Sequence, residues 1–443
     1  MEKNLVNIIK EAGIVGAGGA GFPTHVKIDT NCDYVIVNAA ECEPLVRVDQ
    51  QLMEYKSEEI LKALNMVVRH TGAKKGIVGI KAKYKGALHE LRKIIKKYPK
   101  ISIHELGNFY PAGDEQVLVY EILGKIVPEG GIPLGVGTVV LNSETLLNIY
   151  HAAEKNLPVT EKYVTVGGEV KNPITLKVPI GVKIKELIGI AGGSQVEDFV
   201  VVEGGPMMGN VVEDMDTPIT KTTKALIVLE KNHPVVVSIE KSLHMTIQQA
   251  KTACMHCNLC SEVCPRRLIG HSLEPHKLIR IASYGSTLDK TTPITTAFLC
   301  CDCRLCEYAC IMDLQPWKVN IALKKKLSEK GIGYVDKKSN LTANEFRNFQ
   351  RYPLGKLIMQ LGIDKYDVKA PLVDKKYEFP SVELLLKQHI GVPTASIVSV
   401  GDRVTKGQLI AKVPEGKLGA NLYSSIDGVV KLADENKIVI FRV

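Results

Sequence analysis

The spacing of apolar residues in the first third of the chain predicts a layered domain. Short apolar runs, such as Tyr34 to Val37 and Lys75 to Ile80, alternate with stretches in which apolar residues recur at helical spacing. Short apolar runs are typical of buried strands, and their regular alternation with helices is typical of α/β folds. We therefore predict an α/β domain over residues 1–155.

The apolar pattern changes after this domain. Short strand-like runs bounded by glycine and proline, with one helical stretch near Ile184 to Ile190, predict a small mixed β domain over residues 160–232. Helical patterns then surround two groups of cysteines over residues 240–335. Residues 336–380 are rich in lysine and asparagine and show little periodicity, which predicts a linker on the surface.

The last part of the chain, residues 381–443, returns to strand-like runs. Turn pairs such as Gly401-Asp402 and Asp427-Gly428 separate these runs, and the pattern predicts a separate all-β module. A chain of 443 residues exceeds what one hydrophobic core usually organises. We therefore predict a multidomain protein that combines α/β and α+β units.

Composition and charge narrow the setting in which the chain works. No apolar run approaches the ~18 residues that cross a bilayer, so we expect no transmembrane span. The N-terminus lacks the cationic start and apolar stretch of a secretory signal, which favours the cytoplasm. The net charge is +9, but the lysines are dispersed, and Lys93 to Lys97 is more typical of a helix face than of a nucleic-acid site. We expect no nucleic-acid partner.

Eight of the eleven cysteines form the strongest motif in the sequence. Their two runs are Cys254-x2-Cys257-x2-Cys260-x3-Cys264-Pro265 and Cys300-x2-Cys303-x2-Cys306-x3-Cys310. In a reducing compartment, such crowding indicates metal ligation rather than disulfides. The spacing is that of ferredoxins with 4Fe-4S clusters. Two structural zinc knots are the alternative, although zinc usually takes two Cys-x-x-Cys pairs.

The two runs predict two 4Fe-4S clusters with exchanged ligands. In two-cluster ferredoxins, the fourth cysteine of each run binds the other cluster. Cys301 is an alternative to Cys300, although the Cys-x-x-Cys step to Cys303 favours Cys300. A helical pattern between the runs, His271 to Ser283, favours a helical ferredoxin domain. The predicted ligands are Cys254, Cys257, Cys260 and Cys310 for cluster 1, and Cys300, Cys303, Cys306 and Cys264 for cluster 2.

A glycine-rich loop near the N-terminus, residues 16–21, has the sequence GAGGAG. It satisfies the G-x-G-x-x-G pattern of dinucleotide-binding folds, but that fingerprint must follow a strand and open a helix. This loop follows a helical stretch, and Pro23 favours an extended Phe22-Pro23-Thr24. We predict instead a loop whose backbone N–H groups approach a phosphate or a flavin ring, with a plain turn-rich loop as the alternative.

Four segments resemble, in order, those of the flavin- and NADH-binding subunit of respiratory complex I. They are Gly16 to Thr24 with Lys27, Asn38 to Pro44, Tyr110 to Glu115, and Asn142 to Thr145. The resemblance implies an FMN site formed by Gly16, Gly18, Lys27, Asn38, Glu41, Asn142 and Thr145. It implies an NADH site over the flavin formed by Phe22, Glu43, Tyr110, Gly113, Asp114 and Glu115. No acid–base residue is implied, because the cofactors carry the chemistry.

The sequence departs from the complex I pattern at three places. Ala40 stands where an aspartate is usual, Cys42 interrupts the acidic loop, and Thr30 replaces an aromatic residue. We expect Cys42 and Cys32 to be packed loop cysteines rather than reactive thiols, because nothing in the sequence indicates a lowered pKa.

The C-terminal segments resemble the barrel-sandwich module of the C subunit of Rnf electron-transport complexes. These segments are Lys387 to Pro393, Asp402 to Ala411 and Ser425 to Val430. Lys417 falls at the position of a carrier lysine, but its neighbours are unlike those of lipoylated domains, so we expect packing or docking. The middle domain resembles a ligand-binding β-grasp unit, with Gly204 to Gly209 as either a contact loop or a plain turn.

The order of these units along the chain resembles that of the cobalamin reductases of propanediol-utilising microcompartments. The resemblance implies electron transfer from NADH through FMN and two 4Fe-4S clusters to a corrinoid, cobalamin, which becomes cob(I)alamin for a corrinoid adenosyltransferase. It implies a location in the cytoplasm or inside a bacterial microcompartment, with microcompartment proteins as partners. The alternatives are a relative of the Rnf C subunit that serves another redox enzyme or a membrane complex, and a relay whose flavin site has decayed.

Overall fold

The computed structural model describes residues 4–285, 294–335, 338–373 and 375–443. The predicted domain bounds at residues 1 and 336 lie outside these ranges. Within the described residues, no helix combines the length and the apolar character that crossing a membrane requires.

The first domain is a parallel sheet covered by helices. Its elements are α1 (Leu5–Glu11), α2 (Thr24–Ile28), β1 (Tyr34–Ala39), α3 (Val48–Tyr55), α4 (Ser57–His70), β2 (Lys75–Lys81), α5 (Lys85–Ile94), β3 (Ile101–Leu106), β4 (Phe109–Tyr110), α6 (Glu115–Leu123), β5 (Thr138–Asn142) and α7 (Ser143–Lys155). The sheet order is β3-β2-β1-β5, and all three pairings are parallel. Buried residues of α3, α4, α5 and α7 pack with one face of the sheet, and those of α6 pack with the other.

Helix α4 illustrates why these segments are helical. Its first turn carries two glutamates and its last turn carries Arg69 and His70, which complement the helix dipole. Its buried residues recur at helical spacing, so that one stripe faces the sheet.

The glycine-rich loop follows α1 and precedes α2, without a strand before it. The extended conformation predicted for Phe22-Pro23-Thr24 is wrong at Thr24, which begins α2. The reason is that Pro23 takes the N-cap position with φ −56°, where its missing N–H is no loss to the helix.

The middle domain is a mixed sheet with one helix beside it. Its elements are β6 (Glu161–Gly168), β7 (Ile174–Pro179), α8 (Ile184–Ile190), β8 (Phe199–Glu203), β9 (Asn210–Val211) and β10 (Ala225–Glu230), and a later strand, β12 (Leu372–Val373), joins them. The sheet order is β12-β7-β6-β10-β8-β9. The helix expected near Ile184 to Ile190 is confirmed.

Short helices carry the two cysteine runs. Their bounds are α9 (Pro234–Glu240), α10 (Leu243–Ala253), α11 (Leu259–Glu262), α12 (Pro265–Leu268), α13 (Pro275–Tyr284), a 3-10 helix (Ile294–Leu299), α14 (Leu305–Tyr308) and α15 (Pro316–Glu329).

The stretch 336–380, predicted as a surface linker, contains regular structure and needs correction. Besides β12, its elements are α16 (Arg347–Gln350), β11 (Tyr352–Pro353) and α17 (Leu354–Gln360). Strand β11 pairs with β4 of the first domain, and β12 joins the sheet of the middle domain beside β7. These elements are too short to give a periodic pattern, and their partners are distant in sequence, so the apolar spacing does not reveal them.

The C-terminal module consists of two small sheets. Its strands are β13 (Ser381–Leu385), β14 (Ala395–Ser396), β15 (Arg403–Val404), β16 (Leu409–Lys412), β17 (Leu422–Tyr423), β18 (Gly428–Ala433) and β19 (Lys437–Phe441). The sheet orders are β13-β19-β18-β15 and β14-β16-β17. One buried hydrophobic cluster includes Leu64 of the first domain, Leu226 of the middle domain and Leu384 of this module. The three units therefore pack on one another.

Candidate functional site

Two residues of the predicted FMN set lie side by side at one edge of the parallel sheet. Asn38 of β1 and Asn142 of β5 are direct register partners near the carboxyl ends of their strands. The strand order reverses at this pair, because β2 and β3 extend the sheet on the other side of β1. Ligands of open α/β sheets bind in the crevice outside the carboxyl ends at such a switch point.

The glycine-rich loop lies against this edge. The backbone N–H of Ala17 donates to the Thr145 hydroxyl at 3.0 Å, which connects the loop to the first turn of α7. At Gly18, an added Cβ would meet only a methylene group of Lys224, at 3.9 Å, and at Gly19 it would meet nothing within 4 Å. Gly19 also has φ +60°, a conformation that glycine adopts at little cost. The loop therefore keeps an unobstructed backbone surface beside a lysine.

Buried ion pairs surround the loop. Lys162 of β6 donates to the carbonyl of Ala17 at 2.7 Å and pairs with Glu144. Lys224 pairs with Asp49, and the Asn142 amide donates to the same carboxylate at 3.0 and 3.1 Å. The middle domain thus supplies two cations to an edge that the first domain forms.

Glu41 and Lys27 have partners within the protein. The Glu41 carboxylate accepts from the backbone N–H groups of Asp49 and Gln50, at the start of α3, at 2.7 and 3.2 Å. Burial, and then the nearby Asp49 carboxylate, raise the pKa of Glu41 to about 7. Lys27 donates to Glu115 at 2.8 Å, which joins one residue of the predicted FMN set to one of the predicted NADH set.

The C-terminal module closes over the same loop. The backbone N–H of Ile390 donates to the Ala20 carbonyl at 2.9 Å, and a Cβ at Gly21 would come within 2.9 Å of the His389 side chain. Lys221 of the middle domain donates to the carbonyls of Gly13 and Asn421 at 2.8 and 2.7 Å. Three domains therefore hold the loop.

The structure separates the residues of the predicted NADH set. Phe22 is partly exposed beside the loop, whereas Gly113 packs against Asn38 and Cys42. Glu43 accepts from the backbone N–H of Met207 at 3.1 Å. Tyr110 is buried and donates to Glu43 at 3.3 Å and to the carbonyl of Cys303 at 3.0 Å. Glu43 and Tyr110 therefore lie where the first domain meets the middle domain and the second cysteine run.

Asp114, also of the predicted NADH set, joins the first domain to the first cysteine run. Its carboxylate caps α6 by accepting from the backbone N–H groups of Gln116 and Val117. It also accepts from the Arg266 guanidinium at 2.7 Å, in a pair whose side chains are only 9% and 12% exposed. Arg266 follows Cys264 by two residues, so this pair connects α6 directly to the cysteine run.

Cys254, Cys257, Cys260 and Cys310 wall one small cavity together, with apolar residues such as Ile279 and Leu314. We call these four cysteines the outer set, because Cys257 is exposed and the other three are partly exposed. Burial raises the pKa of Cys260 to about 12, and the neighbouring thiols of Cys310, Cys254 and Cys257 contribute. Cys310, from the second run, therefore lies with three cysteines of the first.

The inner set consists of Cys264, Cys300, Cys303 and Cys306, of which all but Cys300 are buried. Burial raises the pKa of Cys306, and the thiols of Cys300, Cys260 and Cys264 are among its neighbours. Cys264, from the first run, thus lies among cysteines of the second. In the described residues, no three histidine, cysteine or acidic side chains converge closely enough for a single metal ion.

The backbone repeats between the two runs and bears on the choice between Cys300 and Cys301. His256 and Asn258 have positive φ, at 57° and 65°, and so do Asp302 and Arg304, at 56° and 59°. His256 follows Cys254 by two residues, and Asp302 follows Cys300 by two. The repeat therefore aligns Cys300, not Cys301, with Cys254.

Cys42 and Cys32 lie in packed loops. Burial raises the pKa of the Cys42 thiol to about 11, and burial also raises that of Cys32. A thiol with a raised pKa is a poor nucleophile at neutral pH, as expected for packed loop cysteines.

The residues present fit two of the predicted groups, FMN at the sheet edge and a 4Fe-4S cluster at the outer set. The edge at Asn38 and Asn142 offers a switch-point crevice, an unobstructed glycine backbone and the partly buried Lys224, which suit the anionic phosphate of a flavin nucleotide. The outer set offers four thiols around one largely apolar cavity, which suits a four-iron cluster.

Four family models match successive parts of the chain. The model described as the Nuo51 FMN-binding domain matches residues 9–151, and the 4Fe-4S dicluster domain matches residues 253–315. The SLBB domain matches residues 163–211, and the RnfC barrel sandwich hybrid domain matches residues 365–440. The fold and the site thus define an oxidoreductase that combines an FMN-binding domain with a 4Fe-4S dicluster domain.

Relatives of nearly the same length identify the family. Cobalamin reductase PduS of Salmonella typhimurium (strain LT2) is 39% identical over 437 residues, which cover 98% of this chain and 95% of the relative. Cobalamin reductase PduS of Citrobacter freundii is 40% identical with the same coverage. The chain therefore belongs to the cobalamin reductase PduS family.

A more distant relative covers only part of the chain. The C subunit of the Na(+)-translocating ferredoxin:NAD(+) oxidoreductase complex of Acetobacterium woodii is 34% identical over 269 residues. The match covers 60% of this chain and 58% of the relative.

Sequence reasoning missed several residues of these sites. Lys162 and Lys224 come from the middle domain. Asp49 pairs with Lys224, and Arg266 pairs with the predicted residue Asp114. One signal could have revealed them, namely a lysine inside an apolar strand. Lys162 lies in strand β6, and every residue of this strand except the first is buried. A buried lysine requires a partner, so such a position indicates a polar site.

Proposed function

We propose that this protein is an NADH-dependent reductase that carries FMN and two 4Fe-4S clusters and reduces a corrinoid to cob(I)alamin for a corrinoid adenosyltransferase. The substrate class follows from family membership. The observation that carries the redox part is the contact between the inner cysteine set and the flavin domain. The Tyr110 hydroxyl donates to the carbonyl of Cys303, and Asp114 pairs with Arg266, two residues after Cys264. We further propose a cytoplasmic location, with a microcompartment as the alternative.

The reaction balances with NADH as the reductant. One NADH and two cob(II)alamin give NAD⁺, one proton and two cob(I)alamin, whereas a single cob(III)alamin consumes both electrons. When bound, FMN exchanges electron pairs for single electrons and the clusters carry single electrons, which matches the donor to the acceptor.

The proposed FMN site uses the predicted residues and the buried lysines. The N–H groups of Gly18 and Gly19, with Lys224, would hold the phosphate, and Thr145 orients the loop through Ala17. Asn38 and Asn142 would line the crevice. Their side-chain amide oxygens already accept from the backbone N–H groups of Ala40 and Glu144. Glu41 acts as a positioning residue, because its carboxylate fixes the start of α3 beside Asp49.

The proposed NADH site keeps Phe22, Gly113 and Glu115 of the predicted NADH set and adds Lys27 from the predicted FMN set. Phe22, Lys27 and Glu115 are reached by solvent, so they would contact the dinucleotide, and Gly113 would lie beside them next to Asn38. Glu43, Tyr110 and Asp114 instead support the contact between the flavin domain and the inner set. Their effect on NADH would be indirect.

Anaerobic stopped-flow absorbance tests the proposal. FMN- and cluster-reconstituted protein is mixed with NADH and then with cob(II)alamin. We expect flavin bleaching, then loss of cluster absorbance, then the cob(I)alamin band. If NADH bleaches nothing while dithionite reduces the clusters, the NADH part is wrong, and the chain is a relay that another protein supplies with electrons.

A matched pair of variants tests the loop. Gly18→Leu fills the backbone surface where the phosphate would lie, and we expect at least tenfold weaker FMN binding by flavin fluorescence, with unchanged iron content. Gly135→Leu is the control, because an added Cβ there also meets nothing within 4 Å but lies away from the loop. Equal FMN affinity in both variants would contradict the proposed site.

A further inference from the structure

A cavity of about 800 Å³ opens beside the outer cysteine set. Cys310 and Ile311 line both this cavity and the small cavity that the four outer thiols wall. The strip Cys310–Ile311 therefore separates the two spaces. We call the larger one the Cys310 cavity. Its volume falls within the ~300–1,000 Å³ of small-molecule sites.

The lining of the Cys310 cavity is apolar at several exposed positions. Val237 of α9 is 54% exposed, Leu259 of α11 is 39% exposed and Ile311 is 60% exposed, and all three line the cavity. Exposed apolar residues grouped around a concavity mark a ligand or partner site more often than singly scattered ones do. This group lies next to a predicted cluster ligand.

Polar groups complete the wall. Gln360, Lys241 and Lys356 line the cavity together with the ring-bearing side chains Tyr308 and Tyr352. Glu307 also lines the cavity, but its carboxylate already accepts hydrogen bonds from Ser238, Gln315 and Trp317. We therefore assign it to the support of the wall rather than to the ligand. Amide, hydroxyl and ammonium groups around an apolar floor complement a flat macrocycle with an amide fringe and a phosphate.

We propose that the Cys310 cavity binds the corrinoid that this enzyme reduces. The inference rests on the proposed function for the identity of the substrate, and it assigns the place where the substrate binds. The corrin ring would lie on the apolar floor, and its phosphate would meet Lys356. Its amides would replace the hydrogen bonds that now join Gln360 to the Tyr352 hydroxyl and to the Tyr308 carbonyl. A cluster held by the outer set would supply, across Cys310, the single electron that converts Co(II) to Co(I).

Equilibrium binding of cob(II)alamin to oxidised, cluster-loaded protein tests the site without any electron transfer. Val237→Trp places a large ring in the cavity, and we expect at least tenfold weaker binding. Met245→Trp is the matched control, because Met245 is 59% exposed on the neighbouring α10 and does not line the cavity. It should bind like the wild type, and NADH should bleach the flavin at the wild-type rate in both variants.

A second variant guards against misfolding of the first. Lys356→Glu reverses the charge of an exposed side chain on α17, and we expect at least threefold weaker binding of cob(II)alamin, but not of cobinamide, which lacks the phosphate. The proposal is overturned if the wild type binds no cob(II)alamin, or if Val237→Trp and Lys356→Glu both bind it like the wild type. In the second case a protein partner would be the better occupant.

The binding measurements test the cavity independently of the proposed NADH-dependent reaction. If NADH bleaches no flavin, the NADH-dependent reaction is wrong, but the binding comparison still decides the cavity. If NADH drives cob(I)alamin formation with the same KM in Val237→Trp as in the wild type, the reaction stands and the cavity is wrong.

Discussion

The inner and outer cysteine sets share the same ligand spacing but occupy opposite surroundings. The inner set is mostly buried and contacts the flavin domain through Tyr110 and the Asp114–Arg266 pair. The outer set includes an exposed cysteine and borders an open cavity. Cluster potentials depend on burial and on hydrogen bonds to sulfur. The spacing therefore predicts the type of cluster, whereas the surroundings differ between the two sets and would give each cluster its own potential.

The largest effect should come from removing the exchanged ligands. Cys264→Ser should remove the inner cluster although Cys264 belongs to the first run, and Cys310→Ser should remove the outer one. Each variant should lose half of its iron. Loss of a residue that only supports a metal ligand lowers activity roughly 10–100-fold, and loss of a ligand itself should lower activity further. Activity is measured as NADH-dependent formation of cob(I)alamin.

Chelator kinetics distinguish the two variants. A hydrophilic chelator should remove iron from the wild type in a fast outer phase and a slow inner phase. Cys264→Ser should retain the fast phase and Cys310→Ser the slow one. The reverse assignment would show that the ligands are not exchanged between the runs.

The contact between the inner set and the flavin domain should be sensitive to Arg266. Arg266→Met leaves the Asp114 carboxylate buried without its partner, and such losses cost about 3 kcal/mol or more. We expect a decrease of this size in the free energy of unfolding, measured by urea titration and circular dichroism. The double variant Arg266→Met/Asp114→Asn removes both charges but keeps an N-cap, and it should recover most of the loss. No recovery would mean that Arg266 acts through packing alone.

Glu43 should give the smallest effect, one that depends on pH. Burial raises its pKa from 4.5 to about 7, so the folded protein binds a proton that the unfolded chain has released. The stabilisation from the protonated form is fully present below pH 4.5 and is lost as the pH rises through 7. Glu43→Gln should therefore raise the thermal midpoint relative to the wild type at pH 8 and have little effect near pH 5.

The size of this effect is limited by the partial exposure of Glu43. It should not exceed about 2 kcal/mol in the free energy of unfolding. Asp402→Asn is the control, because Asp402 is exposed on the C-terminal module. A difference between Glu43→Gln and the wild type that does not change with pH would contradict the raised pKa.

Much of this architecture could be predicted from residue spacing. Strands β1 and β2 and helix α8 are where the apolar pattern predicts them, and the matched families confirm an FMN-binding and a 4Fe-4S unit. Such elements are predictable because a run of apolar residues is buried whatever its partner. The ligand sets of the clusters and the residues of the flavin site remain predictions, although the four cysteines of the outer set wall one cavity.

What spacing could not predict depends on contacts between distant segments. The pairing of β11 with β4 joins Tyr352 to Tyr110, and the ion pair Lys224–Asp49 joins two domains. No local pattern encodes such partners. The role of Tyr110 shows the same limit, because the resemblance gave it to NADH while its hydroxyl contacts Cys303.

The hold of the C-terminal module on the glycine-rich loop has a consequence for biosynthesis. Chains leave the ribosome N-terminus first, and domains begin to fold as they emerge. The loop at Gly16 to Gly21 is among the first segments to appear, but its contacts with His389 and Ile390 must await almost the entire chain. Completion of the glycine-rich loop is therefore a late event, and in a nascent or truncated chain this loop would lack part of its support.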